Sequence, residues 1–218
     1  FYTNIVILAE EIEMKACRSC GSRDLEKVLD LGEQPWGNDF KKIKSELSVE
    51  TYPLRLFFCQ TCSMVQIDHT VPKEKMFVEH SYMSGTTKSL KRHFEEVGRL
   101  ISNRYEIEGK YILDIGGNDG TFLEFFQKED VKILNVESGD AQAKASQAKG
   151  INTAHRFFNF HSAGDIKNQY GPMRVIHGSG VLFHLEELHS AFKGIELLLD
   201  DKGVLVAEFI YLPTMIMN

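Results

Sequence analysis

Four cysteines in two Cys-x-x-Cys pairs are the residues whose spacing most clearly predicts chemistry in this chain. The pairs are Cys17 with Cys20 and Cys59 with Cys62, and together they include every cysteine of the sequence. A Cys-x-x-Cys turn directs two thiolates toward one point, so two such turns can complete a tetrahedral sulfur shell around one divalent ion. Because four thiolates leave no open coordination position, the pattern predicts a structural metal site and not a catalytic one.

Zinc is the metal that we expect at these cysteines, although a sulfur tetrahedron also accepts iron. Two disulfides and redox-active dithiols are the alternative interpretations of the same pairs. Both are disfavoured, because the sequence shows no export signal and neither pair lies in a thioredoxin-like βαβ pattern.

A glycine turn is the second feature with chemical meaning. The segment "YILDIGGNDGTFLEFF", residues 111–126, has the pattern of a strand, a glycine turn and a helix, which is typical of sites for nucleotide-like cofactors. Its sequence D-x-G-G-x-D-G differs from the G-x-G-x-x-G of dinucleotide-binding proteins. The acid Asp114 would repel a pyrophosphate, but it suits an ammonium group beside a carboxylate, as in the amino-acid end of S-adenosylmethionine.

A second acid, Glu137, ends the next apolar segment, "KILNVES", 23 residues after Asp114. An acid at this place can accept hydrogen bonds from two ribose hydroxyls. Taken alone, Glu137 has the pattern of a surface residue at a strand end. In a βαβ frame with the glycine turn, it favours a methyltransferase over an NAD(P)-linked oxidoreductase, which stays open as an alternative.

The elements that must position these residues alternate between strands and helices. Strands are predicted near residues 111–115, 132–137, 151–154, 173–178 and 203–210. Helices are predicted near residues 120–129, 140–149 and 184–200, and apolar residues at helical spacing indicate another helix around 90–101. This alternation predicts an α/β fold, with a Rossmann-like parallel sheet covered by helices.

Composition shifts divide the chain into zones. We expect a zinc-binding domain over residues 14–70, which includes a strand at "TYPLRLFFC", then a helical connector over 71–107 and a cofactor domain over 108–218. The opening stretch "FYTNIVILAEEIE", residues 1–13, is interpreted as an upstream or non-native extension, because "MKACRSCGS" makes a natural beginning. The abrupt apolar end at "YLPTMIMN" suggests that the cofactor domain is truncated.

Charge and hydropathy exclude several classes of partner. The net charge is −6, and residues 14–70 contain eight basic and eight acidic residues. Balanced charge cannot supply the phosphate attraction that dominates nucleic-acid affinity, so we expect no nucleic acid as partner. No apolar run approaches the roughly 18 residues of a membrane-spanning helix, so we expect no membrane partner and a cytoplasmic location.

Several segments together resemble a known family. In chain order they are "CRSCGS", "LGEQPWGNDF", "CQTCSMVQ", "SYMSGTTKSLKRHF", "LDIGGNDGTFL" and "GVLFHLEELHSAFKGIELLLDDKGVLVAEFIYL". Over residues 14–213 the chain resembles the S-adenosylmethionine-dependent sugar C-methyltransferases of deoxysugar biosynthesis, which carry an N-terminal zinc-binding domain. The resemblance implies a class I methyltransferase domain that methylates C3 of a nucleotide-linked 4-keto-6-deoxysugar. A base would remove the proton next to the ketone, and the enolate would attack the sulfonium methyl.

The resemblance also implies roles for individual residues. His184, in "GVLFHLEEL", matches the family's histidine after the fourth strand and is the candidate base, whereas without the family it is a helix-start histidine. Tyr82, in "HSYMSGTT", is the candidate partner of the enolate oxygen, whereas without the family it is a packed loop tyrosine. The residues that we expect to hold the cofactor are Asp114, Gly116, Gly117, Asn118, Gly120 and Glu137.

The chain departs from the family pattern at two places. Gly180 stands where the family usually has Asn, so one polar contact near the cofactor or substrate is expected to be missing. A Tyr-x-Glu-His segment and the family's C-terminal domain would lie beyond Asn218. A different class of function is therefore the alternative, namely a non-catalytic zinc-ribbon interaction module on a degenerate Rossmann scaffold.

Overall fold

The computed structural model describes residues 16–37 and 49–217, so the predicted extension at residues 1–13 lies outside the described residues. The chain divides into two compact units between Pro72 and Lys73. Most of the predicted connector, from residue 73 to residue 107, therefore lies in the second unit. No helix in the described ranges is long and apolar enough to cross a membrane.

The first unit contains a three-stranded antiparallel sheet in the order β1-β2-β3. Its strands are β1 (Leu25–Pro35), β2 (Thr51–Cys59) and β3 (Val65–Ile67). The strand predicted at "TYPLRLFFC" is β2. Strand β1 was not expected, and its pairing with β2 is interrupted by two shifts of register, between Lys27 and Leu29 and between Asp30 and Glu33.

The second unit begins with helices and continues as an alternating α/β domain. Its elements are α1 (Lys73–Phe77), α2 (Lys88–Arg104), β4 (Tyr111–Ile115), β5 (Lys132–Glu137), α3 (Asp140–Ala148), β6 (Thr153–His155), α4 (Phe160–Tyr170), β7 (Met173–Ser179), α5 (Leu188–Leu198), β8 (Leu199–Glu208) and α6 (Leu212–Met217). The five strands form one parallel sheet in the order β6-β5-β4-β7-β8, which confirms the predicted fold class.

The strand order fixes where a ligand can bind. The chain runs outward from β4 to β6 and then returns to the other side of β4 as β7. Ligands of open α/β sheets bind outside the carboxyl ends of the strands where the order reverses in this way. The site is therefore expected at the carboxyl ends of β4 and β7, which is where the glycine turn begins.

Apolar side chains bury both faces of the central strand β4. Ile112 packs with Phe94 and Phe126 on one face, whereas Leu113 packs with Leu134 and others on the opposite face. Strands covered on both faces have near-continuous apolar sequences. This explains why "YILDI" stands out in the sequence and why its predicted bounds coincide with those of β4.

Two helical predictions differ from the structure, and one helix was not predicted. The helix expected at 120–129 is a 3₁₀ helix, Leu123–Lys128. The helix expected at 184–200 begins only at Leu188, because a separate 3₁₀ turn, Leu182–His184, precedes it. Helix α4 was not predicted, although Asn159 and Ser162 form a capping box at its N-terminus.

Candidate functional site

The four cysteines converge in the first unit. Their sulfur atoms all lie within 4.8 Å of one another, with Cys17 to Cys62 and Cys20 to Cys59 both at 3.6 Å. A zinc ion with Zn–S bonds of about 2.3 Å requires sulfur atoms about 3.8 Å apart, so the arrangement fits a tetrahedral site. The alternative of two disulfides is wrong for this structure, because all four cysteines are free and a disulfide needs an S–S bond of about 2.0 Å.

The two cysteine turns share one backbone conformation. The residue after each second cysteine, Gly21 or Ser63, has a positive φ (74° and 63°). Its N–H donates to the carbonyl of the first cysteine of the pair, at 2.9 Å for Cys17 and 2.8 Å for Cys59. Although desolvation opposes it, backbone N–H groups also lower the pKa of the Cys59 thiol to about 7. These N–H groups favour the thiolate at Cys59, whereas desolvation and the other three cysteine side chains raise the pKa of the Cys20 thiol to about 12.

The glycine turn between β4 and the 3₁₀ helix allows close approach of its neighbours. Gly116 and Gly120 have φ values of +62° and +76°, which glycine adopts without strain. A Cβ on Gly117 would lie 2.5 Å from Oδ1 of Asn135 and 2.6 Å from Oδ2 of Asp114. The turn is consequently packed tightly against the carboxyl ends of β4 and β5.

Glu137, at the end of β5, holds the glycine turn in place. Its Oε2 accepts from the backbone N–H of Asn118 at 2.8 Å, and its Oε1 accepts from that of Gly139 at 2.6 Å. The residue is 5% exposed, and desolvation raises the pKa of its carboxyl above the ordinary value, although the backbone hydrogen bonds oppose this. Each carboxylate oxygen retains a further lone pair that a ligand hydroxyl could use.

Asp114 lies in a buried hydrogen-bonded pair with His177. Its Oδ1 is 2.8 Å from Nδ1 of His177, and the two side chains are 4% and 1% exposed. The imidazole of His177 stacks on Phe122, with ring centroids 3.7 Å apart. The expected contact between Asp114 and a ligand ammonium group would therefore involve Oδ2, which faces Gly117.

Residues after β4 also hold the segment that precedes α2. Asn118 accepts from the backbone N–H of Ser84 at 3.0 Å, and Asp119 accepts from that of Gly85 at 3.1 Å. Asn118 also donates to the carbonyl of Tyr82 at 3.2 Å. The segment that contains the candidate Tyr82 is thus attached to the glycine turn.

His184 lies on the 3₁₀ turn that follows β7. The residue before this 3₁₀ turn approaches the glycine turn, because a Cβ on Gly116 would lie 2.7 Å from Cγ2 of Val181. The rings of Phe77 and Phe183 have centroids 5.9 Å and 4.4 Å from that of His184. Although the side chain is exposed on one side, desolvation by its neighbours lowers the pKa of the imidazole below its ordinary value.

Several residues of this edge were not expected from the sequence. Asn135 donates to the carbonyl of Asn118 and to Oγ of Ser146, both at 3.0 Å, and it is fully buried in β5. His177 is likewise a polar residue within an apolar strand. A polar side chain inside an apolar strand is the signal that could have identified Asn135 in "KILNVES" and His177 in "RVIHGS". Such a side chain is buried, and a buried polar group needs a partner.

A second polar cluster joins β7, β8 and α2. The carboxylate of Glu208 accepts a hydrogen bond from Ser179 and contacts the imidazole of His93. Although desolvation opposes it, these contacts lower the pKa of Glu208 below its ordinary value. The cluster lies at the same carboxyl edge of the sheet as the glycine turn.

Comparisons with known proteins match both parts of the chain. Residues 17–77 match a family described as a zinc binding domain, and residues 86–212 match a family described as a methyltransferase domain. The C-methyltransferase NovU of Streptomyces niveus is 23% identical over 204 residues, which cover 93% of this chain and 49% of NovU. The chain therefore spans about half the length of the curated relative that it matches.

Solved structures with a similar fold include two methyltransferases. An S-adenosylmethionine-dependent methyltransferase from Geobacter sulfurreducens, in complex with S-adenosyl-L-homocysteine, has a TM-score of 0.42 at 12% identity, and the match covers 63% of this chain and 55% of that one. The CcbJ methyltransferase from Streptomyces caelestis has a TM-score of 0.43 at 12% identity, and the match covers 52% of this chain and 47% of that one.

Proposed function

We infer that the methyl acceptor of this protein is a carbon atom of a sugar. The chain belongs to the methyltransferase domain family and carries a zinc-binding domain ahead of that domain. The methyl donor is S-adenosylmethionine, the cofactor of methyltransferases with this fold. The proposed substrate is a nucleotide-linked 4-keto-6-deoxysugar, methylated at C3 through an enolate. The likeness to a relative named as a C-methyltransferase supports this proposal.

One observation carries the proposal: the glycine turn contacts both segments that hold the candidate catalytic residues. Gly116 packs against Val181, three residues before His184, and Asn118 binds the carbonyl of Tyr82. A base and an enolate partner beside a methyl-donor site are what methylation at carbon requires. A binding module without catalysis would need neither.

The cofactor would be held by the turn and by the two acids that flank it. When bound, S-adenosylmethionine supplies an electrophilic methyl group. We assign the ribose hydroxyls to Glu137 and the amino-acid end to Asp114, with Gly116, Gly117, Asn118 and Gly120 giving close backbone approach. In the first unit, the four cysteines would hold one zinc ion that stabilises the fold of that unit.

His184 and Tyr82 would act on the sugar. The lowered pKa of His184 keeps its imidazole neutral near pH 7, so it can accept the proton from C3. The electron pair of that C–H bond becomes the C3–C4 double bond of the enolate, and the hydroxyl of Tyr82 would donate a hydrogen bond to the C4 oxygen. The enolate carbon would then form its bond to the methyl group as the sulfur–methyl bond breaks, so that S-adenosylhomocysteine leaves and the C4 ketone is restored.

Transfer of labelled methyl tests the reaction. The full-length protein is incubated with methyl-labelled S-adenosylmethionine and a nucleotide 4-keto-6-deoxysugar, and the control is the same sugar reduced to a C4 alcohol. We expect label in the keto sugar alone, because only the ketone acidifies the C3 proton. His184→Ala should abolish the transfer, whereas His189→Ala, at an exposed position of α5, should not. Equal labelling of both sugars would contradict the enolate route.

Calorimetric titrations with S-adenosylhomocysteine and with NADH test the cofactor separately. We expect saturable binding of S-adenosylhomocysteine alone. Saturable binding of NADH alone would instead support the oxidoreductase alternative.

A further inference from the structure

Gln142, on α3, is a fully buried amide directed at the segment that contains Tyr82. Its Nε2 lies 2.9 Å from the carbonyl oxygen of Tyr82 and 2.9 Å from that of His80. An amide NH₂ group has two donors, so two carbonyl acceptors satisfy it completely. The reverse orientation would place the amide oxygen against two carbonyl oxygens, so these partners define which atom is the nitrogen.

The carbonyl of Tyr82 is thereby held from two sides. Asn118, after β4, donates from its Nδ2 at 3.2 Å, and Gln142, after β5, donates at 2.9 Å. Glu137 binds the glycine turn that contains Asn118 and the residue that precedes α3, because its carboxylate accepts from the N–H groups of Asn118 and Gly139. Tyr82 is itself 54% exposed, so packing contributes little to its placement.

Gly139 makes room for this arrangement. A Cβ at residue 139 would lie 2.4 Å from Oε1 of Gln142 and 3.1 Å from Nε2 of His80. The backbone of Gly139 has a φ of −76°, which alanine also adopts. The need for glycine here is therefore steric, and it comes from Gln142 and His80.

We propose that Gln142 and Asn118 are positioning residues that fix Tyr82 through its carbonyl oxygen and couple it to the cofactor turn. This proposal rests on the role assigned above to Tyr82. Cofactor bound at Glu137 and the glycine turn would therefore act on Tyr82 through these two donors. A variant without the Gln142 donors then loses the placement of Tyr82 and its response to the cofactor.

Tryptophan fluorescence can report on this placement, because Trp36 is the single tryptophan of the chain. The reporter combines Trp36→Phe with Tyr82→Trp, and the probe ligand is S-adenosylhomocysteine. We expect the ligand to change the emission of the reporter. Adding Gln142→Leu should shift the ligand-free emission to the red and remove most of the ligand-induced change. The dissociation constant should rise by no more than about tenfold, the worth of one net hydrogen bond.

Gln147→Leu is the matched control, since Gln147 is exposed on the same helix. The proposal would be overturned if Gln142→Leu and Gln147→Leu gave the same emission wavelength and the same change of emission on addition of the ligand. If Gln142→Leu fails to fold, Gly139→Ala tests the same contact by displacing the Gln142 side chain, and it should give the same red shift.

A pH series separates positioning from a merely structural role. In Gln142→Glu the protonated carboxyl supplies one O–H donor, whereas the carboxylate supplies none. Without ligand, the emission wavelength of Gln142→Glu should shift back toward the value of the reporter as the pH falls. Gln147→Glu should show no such shift. An emission independent of pH would count against the positioning role. If the ligand binds to none of the variants, the proposed function is overturned instead. The two outcomes can be told apart, because the red shift is measured in the absence of ligand.

Discussion

The backbone N–H of Asn118 donates to Oε2 of Glu137 at 2.8 Å, so the acid that ends β5 also holds the glycine turn that follows β4. A single carboxylate thereby joins two loops of the proposed cofactor site. Loss of this side chain should affect both the ligand contact and the shape of the turn.

Glu137→Ala should weaken binding of S-adenosylhomocysteine by about 1.5–3 kcal/mol, the typical worth of hydrogen bonds to a charged group. Calorimetric titration measures the change. Glu96→Ala is the control, because Glu96 is exposed on α2, and it should leave the affinity unaltered. Equal affinity in the wild type and in Glu137→Ala would place the ribose elsewhere.

The raised pKa of Glu137 predicts two opposite trends with pH. Ligand affinity should fall as the pH drops, beginning at a higher pH than for an ordinary glutamate, because the hydroxyl contacts need the carboxylate. The contribution of this group to folding stability should be fully present below its unfolded pKa and be lost as the pH rises through the folded pKa. Titrations and urea denaturation between about pH 4 and pH 7 measure both trends, and Glu137→Gln should flatten them.

His177→Ala should destabilise the second unit by about 3 kcal/mol, because it removes a stacked ring and leaves the buried Asp114 carboxylate without its partner. Urea denaturation followed by circular dichroism gives the free energy of unfolding. The exposed His189→Ala should change it little. An equal effect of the two substitutions would mean that the Asp114 pair contributes no stability.

Gly180→Asn should be tolerated, with a loss of less than about 1 kcal/mol, because asparagine is among the residues that best accept a positive φ. Gly180 has a φ of +65°, and no atom lies within 4 Å of where its Cβ would be. Gly120→Asn is the matched contrast, because a Cβ there would lie 2.4 Å from Ile151. Thermal unfolding compares the two, and similar losses would show that space does not decide tolerance here.

One zinc ion per chain is expected from elemental analysis, and Cys59→Ser should abolish it. Because four thiolates gather only in the folded unit, loss of the metal should unfold the first unit while the second keeps its helical signal. Ser19→Ala, at an exposed position inside the first Cys-x-x-Cys turn, should retain the metal. Protein purified without chelator and free of both zinc and iron would contradict the site.

Local patterns in the sequence were enough to locate much of the fold. The predicted bounds of β4 and β5 coincide with those in the structure, because both strands are apolar runs that end at an acid or a turn. Helix α4 was missed because Gly164 and several polar residues interrupt its apolar spacing, and its buried side chains are few. The long strand β1 was missed because most of its residues are exposed, so no alternation marks it.

The cysteine spacing likewise determined the two Cys-x-x-Cys turns, which are local structures, whereas the meeting of the two pairs across 39 to 45 residues depends on the tertiary structure. Only the tertiary structure decided the contacts between residues that lie far apart in the chain. His177 meets Asp114 across 63 residues because β7 returns beside β4, and Gln142 meets Tyr82 across 60 residues because α3 packs beside the segment before α2. The physical reason is that propensity and periodicity act over a few residues, whereas strand order and buried polar partners depend on how the whole sheet packs.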